Sequence, residues 1–259
     1  MRRVIVEEPL SQAAVWSLRL SIFALAVAAV AVAVTRFQLV DVPAGLAVFG
    51  SAILLDCLAL LLAGTAGVII WRTGRRGLAP MFGGVVLSLA LLAFPGYLAV
   101  QSLRLPVLND ISTDINDPPQ FSLSKRATEA RNGRNPRVRT TAERQQQRAA
   151  YPGVQPILLE LEDGRRRYQL ILRAVQALGW KIIDQSAPGG RAGLGHIDAV
   201  ARTLVMGFPD DITIRVQPLA GQTKIDVRSV SRYGRNDFGV NARRIERFAE
   251  ELQTQLDAK

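Results

Sequence analysis

The sequence predicts a membrane α-helical region of three transmembrane helices followed by a soluble α+β domain, a two-layer arrangement of mostly antiparallel sheet with helices. Two observations lead there. Three long apolar stretches fill the first hundred residues, and the polar, basic remainder alternates runs of period two with stripes of helical period. The expected division is residues 1–103 for the transmembrane region, 104–150 for an extended strap and a mobile basic insert, and 151–259 for the soluble domain.

The first span covers residues 16–35, and the stretch after Arg19 carries no charge. At about 1.5 Å per residue it falls slightly short of a bilayer core of about 30 Å, so Trp16 and the snorkelling Arg19 complete it at the interface. A cleaved signal peptide is the competing reading, but Val32-Ala33-Val34-Thr35-Arg36 is a poor cleavage site and further spans follow. The second span covers residues 42–71 with Asp56 as its only charge, and it is long enough to leave Pro43 and Gly45 in the interface. The third, residues 78–103, is uncharged and holds Pro95-Gly96 near its far end. Arg2, Arg3 and Arg19 flank the start and Arg72, Arg75 and Arg76 separate spans two and three, whereas Arg36 alone lies between spans one and two. Basic residues in short flanks stay in the cytoplasm, so the amino terminus is inside and everything after Leu103 outside.

Asp56 is the one membrane residue with a functional reading, as a relay in a transport accessory subunit, because an ionisable group among apolar side chains is costly. The preferred alternative is an interhelical hydrogen bond near Ser51, Ala52 and Ala59. Ala63 and Gly67, with Gly83-Gly84, mark close helix packing within the chain or between copies of a homo-oligomer.

Residues 105–121 have neither helical nor strand period and read as an extended strap. Its Asp110, Asp114 and Asp117 lack the glycine and distal glutamate of a calcium loop, so a strap packed on the domain is preferred to a cation site. Residues 125–150, rich in arginine and glutamine with almost no large apolar side chain, read as a mobile basic insert. Beyond Tyr151, residues 157–178 carry a helical stripe that stops at Gly179. Residues 180–184 and 195–205 read as strands, and 211–217 with 223–228 as a hairpin turning through Pro218-Leu219-Ala220-Gly221. A last helix begins near Asn236-Asp237, with Phe238, Ala242, Ile245, Phe248, Leu252 and Leu256 on one stripe.

The single cysteine, Cys57, lies in the second span, so the soluble side has no thiol for a disulfide, zinc cluster or thiol catalysis. His196 is the only histidine and no nucleophile elbow accompanies it, nor does the glycine-rich run 189–195 follow phosphate-loop spacing. No metal and no cofactor is expected. The richest polar constellation runs from a strand into the last helix and offers Arg228, Ser229, Ser231, Arg232, Arg235 and Asn236 as an anion-binding set. The preferred alternative pairs Asp210, Asp211 and Asp226 with Arg228 and Arg232 across the sheet, while Asp237 caps the helix.

The same region carries a family likeness. Phe208-Pro209-Asp210-Asp211, the run from Asp226 to Arg232, and Asn241-Ala242-Arg243-Arg244-Ile245 together resemble the signature of the domain of unknown function 1499 family. Ile111-Ser112-Thr113-Asp114 and Asp117-Pro118-Pro119 are similar to its membrane-anchored bacterial members, and the resemblance spans roughly residues 105–256. It implies a bacterial source and supports the domain boundary, and it implies no catalytic residue; with that source, the orientation read from the arginines makes this an inner membrane protein with a periplasmic carboxyl-terminal domain.

The part after Leu103 holds 25 basic and 18 acidic residues, a net charge of +7, much of it in residues 125–150. Outside the cytoplasm the matching partners are anionic lipid headgroups or envelope polymers, or a membrane protein, and nucleic acid is not expected. The resulting expectation is a protein of the cell envelope, more readily non-enzymatic than enzymatic, whose periplasmic domain binds an anionic or protein partner. The alternatives are a membrane-bound hydrolase using Asp210 and Asp211, and the transport accessory role built on Asp56.

Overall fold

In the computed structural model, residues 8–160, 164–189 and 193–258 are described. Arg2 and Arg3 of the orientation argument, Leu161 of the expected helical stripe, and 190–192 of the glycine-rich run lie outside them. The chain divides into two compact units, Met1–Val100 with Val205–Gly207 and Gln101–Leu204 with Phe208–Lys259.

The first unit is built on three helices, each long and apolar enough to cross a membrane: α1 (Gln12–Arg36), α2 (Val42–Thr73) and α3 (Leu78–Arg104). Large apolar side chains such as Phe23, Val30, Leu54, Leu61, Phe82 and Val86 point outward, and the buried residues, Leu91 and a few others apart, are small. That inversion suits a lipid surround, where tails solvate leucine and close backbone approach holds helices together. On α1 the seam is Ala14, Ser17, Ser21, Ala24, Ala28, Ala31 and Thr35, and on α2 it is Val42, Gly45, Ala52, Asp56, Ala59, Ala63 and Ala66. The alternating three and four residue spacing keeps each seam on one helix face. At Gly45 a Cβ would lie 1.8 Å from Thr35 Oγ1, so only glycine fits. A Cβ on Gly84 would lie 2.9 Å from Ser17 Oγ, which places the expected small-residue contact of Gly83-Gly84 within the chain.

The second unit is a six-stranded antiparallel sheet: β1 (Asp110–Ser112), β2 (Ile157–Leu159), β3 (Lys181–Ser186), β4 (Gly195–Arg202), β5 (Pro209–Leu219) and β6 (Gln222–Ser231). The order is β1-β6-β5-β4-β3, and β2 follows β1 along the same edge of β6. Period two sorts each strand between two faces. One face, with Ile197, Ala199, Ile212, Ile214, Val216, Ile225 and Val227, is covered by α6 (Gly164–Ala177) and α7 (Val240–Asp257), which bury Ile171, Val175, Ile245, Phe248 and Leu252. Trp180 stacks on Phe248 at 5.6 Å between ring centroids.

The other face is polar, and residues 113–124 lie diagonally across it. Asp114 accepts from Lys224 Nζ on β6 at 2.8 Å, Asp117 from Arg215 on β5 at 2.6 Å, and Gln120 O from Thr213. Farther on, the Ser122 amide donates to Asp198 on β4, and the Ser122 and Ser124 hydroxyls to Asp184 on β3.

Four expectations are corrected here. Residues 125–150 hold α4 (Lys125–Ala130) and α5 (Thr141–Ala150) rather than a mobile insert. Helix caps and polar burial order this segment in place of apolar area: Ser124 caps α4, Thr140 and Glu143 form a reciprocal capping box on α5, and Arg131, Arg139 and Gln147 are buried. The sheet unit therefore begins before Asp110, not at Tyr151. Ile157–Leu159 is a strand paired with β6 rather than the start of a helix, because a short apolar run is ambiguous until an edge claims it. Finally, α7 starts at Val240, because Phe238 (φ 52°) and Gly239 (φ 75°) take left-handed conformations that a helix does not admit. Asp237 still caps it, accepting from the Gly239 and Asn241 amides.

Candidate functional site

The constellation expected to bind an anion is divided by the pleat of β6. Arg228 projects to the polar face, where it is buried and makes a two-pronged contact with Asp110 at 3.0 and 2.7 Å. Ser229 and Ser231 project to the helical face, where both hydrogen-bond Asn241. Arg232 grips Asp211 at 2.7 to 3.1 Å. Arg235 is exposed beyond the strand, and Asn236 Oδ1 accepts from the Phe238 amide. Ion pairing thus engages the two inner arginines, although Arg228 takes Asp110 rather than any of the three acids named for it. Asp226 is fully buried and accepts from Arg215 at 2.8 Å.

Asp210 and Asp211, adjacent in β5, point to opposite faces. Asp210 meets Arg244 of α7, and Asp211 meets Arg232. Burial pushes both carboxyls up from the ordinary range while those arginines pull the other way. Two acids separated by a sheet do not act on one bond, so the geometry that a paired acid–base hydrolase requires is not formed by them. His196 Nε2 lies 2.9 Å from Asp198 Oδ1, and Asp198 Oδ2 also accepts from Arg131 at 2.9 Å.

What the structure does assemble is a cleft of about 360 Å³ lined by Leu108, Asn109 and Asp110 before and in β1, by Asp211, Val230, Ser231 and Arg232 from the β5–β6 pair, and by residues 134–137, Arg139 and Glu143. Of the expected anion-binding set only Ser231 and Arg232 reach it. Arg134, Arg137 and Arg139 come from the segment read as mobile. The recognisable signal for them was Thr140-x-x-Glu143, a capping box that announces a helix and fixes the loop before it.

The loop is held from several sides. Arg137 is bonded to Glu143, whose carboxyl is kept down to about 2 by that guanidinium and by Thr140. Arg134 lies over the Tyr233 ring, 4.9 Å from its centroid, and donates to the Arg232 carbonyl. Arg139 is only 7% exposed and donates to Gln147 Oε1 and to the Asp110 and Ile115 carbonyls, while its Nε has no partner among the described residues. Burial lowers its pKa from the ordinary arginine value. Gln147 in turn pairs with both backbone groups of Ser112, at 3.3 and 2.7 Å.

Three apolar membrane-length helices joined to an antiparallel sheet, whose polar face is covered by its own strap, define a membrane-anchored α+β protein. The family model described as protein of unknown function (DUF1499) matches residues 110–252, more than half of the chain, and the chain belongs to that family. The match starts at β1 and includes the loop and α5 that build the cleft. No curated protein matches the chain.

Proposed function

We propose that this is an inner membrane protein of the bacterial envelope, amino terminus in the cytoplasm, whose carboxyl-terminal domain faces the periplasm and binds an anionic partner through the cleft between the 134–139 loop and β1 with β6. The observation that carries the reading is the concentration of arginine there: Arg134, Arg137, Arg139 and Arg232 line one concavity. Arginine matches phosphate and carboxylate geometry in a way that lysine does not. This moves the expected contact region from Arg228 and Arg235 to the neighbouring loop. The orientation is supported by six basic residues in the flanks assigned to the cytoplasm against Arg36 alone on the other side. The test is a pair of carboxyl-terminal reporters in cells, an alkaline phosphatase active only outside the cytoplasm and a fluorescent protein that folds only inside it. Phosphatase activity is expected, and fluorescence there would overturn the topology.

A second reading, a transport accessory subunit, rests on Asp56. It is fully buried in the helix seam, and among the described residues neither carboxylate oxygen has a hydrogen-bond partner. Asp56→Asn should then abolish any associated ion-dependent flux while the protein still inserts and accumulates normally.

A further inference from the structure

We infer that the cleft is built for a single phosphoryl group carried as a dianion, free or on a lipid headgroup, with Arg139 and Arg134 as its counter-charges. The inference rests on the anion-binding reading above and specifies the ligand's chemistry. It follows from charge pairing at the cleft. Arg228 is matched by Asp110, Arg232 by Asp211 and Arg137 by Glu143. Those pairs neutralise every carboxylate that lines the cavity. Among the described residues, no carboxylate lies within ion-pair distance of either remaining arginine.

Arg139 is the anchor. A guanidinium removed from water without a counter-ion is costly, and neutral carbonyl and amide oxygens compensate only part of that cost. Its NH1 and NH2 groups hold such neutral acceptors and its buried Nε holds none, beside a cavity roomy enough for a phosphoryl group with several waters. Arg134 is the movable partner. It is exposed, braced against Tyr233, and donates one hydrogen bond to a backbone carbonyl, which leaves most of its five N–H donors for a ligand. Two unmatched positive charges balance a dianion, whereas a carboxylate or a phosphodiester would leave one uncompensated. Asp110, Glu143 and Asp211 also line the wall, but each already accepts from its own arginine.

The experiment uses the full chain in a phosphate-free maltoside detergent, titrated calorimetrically with inorganic phosphate against sodium chloride of equal ionic strength. In parallel, the same calorimetry is run with maltoside micelles doped with short-chain phosphatidic acid, a monoester, or phosphatidylglycerol, a diester, because the three apolar helices would carry the chain onto any vesicle. Saturable phosphate binding, weakened about tenfold or more in Arg134→Gln and unchanged in Arg247→Gln, supports a free ligand, tenfold being roughly one charge-assisted hydrogen bond. Binding to phosphatidic acid and not to phosphatidylglycerol, with the same dependence on Arg134, supports a headgroup. Because Arg139 also braces α5, Arg139→Gln is read together with the circular dichroism of the variant, and Arg134→Gln decides the matter if it misfolds. Equal binding to phosphatidylglycerol and no phosphate binding would sink the dianion while sparing the broader anionic reading. Failure with all three probes would sink both, and binding indifferent to Arg134 would reject the site.

Discussion

At the residue scale, the domain is held by buried ion pairs more than its composition suggests. Asp110 with Arg228, Asp211 with Arg232, and Asp210 with Arg244 use residues from the very motifs that carry the family resemblance, so those motifs read first as structure. Removing one partner of a buried pair strands the other, and Arg228→Ala should cost about 3–5 kcal/mol in denaturant unfolding. A cost under about 1 kcal/mol would show that the pair is solvated. Glu143 makes a sharper test. Its carboxyl in the fold lies below the ordinary 4.5, near 2, so its stabilisation is complete above about 4.5 and lost as pH falls through about 2. The stability gap between wild type and Glu143→Gln should therefore be open at pH 6 and close on acidification to pH 2. A gap constant across that range would mean the Arg137 contact is not maintained in solution.

At the element scale, the helical stripe of α7, the β5–β6 hairpin and the Gly179 stop of α6 were legible because local period and turn chemistry specify them. The strand identity of Ile157–Leu159 and the ordering of residues 125–150 were not, since both depend on partners far away in sequence. β1 illustrates the point. Asn109, Ile111 and Thr113 face β6, which leaves the backbone groups of Asp110 and Ser112 directed outward. Arg139 donates to the Asp110 carbonyl and the Gln147 amide pairs with both groups of Ser112, so a polar side chain on α5 closes an edge that would otherwise stand open. Gln147→Leu should cost about 1–3 kcal/mol, the penalty of buried unsatisfied groups, and should speed exchange of the Ser112 amide. Unaltered exchange would mean that water replaces the amide. In the membrane unit, Asp56→Ala should leave helix packing intact or raise its thermal midpoint, because alanine already fills the neighbouring seam positions and an unpartnered acid is removed. A marked drop in that midpoint would reveal a partner for the carboxylate.

At the scale of the whole molecule, the fold class is the expected one: large apolar side chains face outward on membrane-length helices, and the polar part folds as a sheet with helices. Both are one-dimensional properties, a run length and a local period, so the sequence alone determined the three spans, the fold class and most of the core. The tertiary structure decided which arginines are neutralised and which are not. Arg232 pairs with Asp211, one of the acids the sequence offered for it, whereas Arg228 takes Asp110, which it did not offer. Arg134 and Arg139, in a stretch with no apolar period, came to line a cleft with no acid of their own among the described residues. Charge pairing such as that of Arg228 with Asp110, 118 residues away, depends on strand register and on the path of the strap, and neither is written in any local pattern.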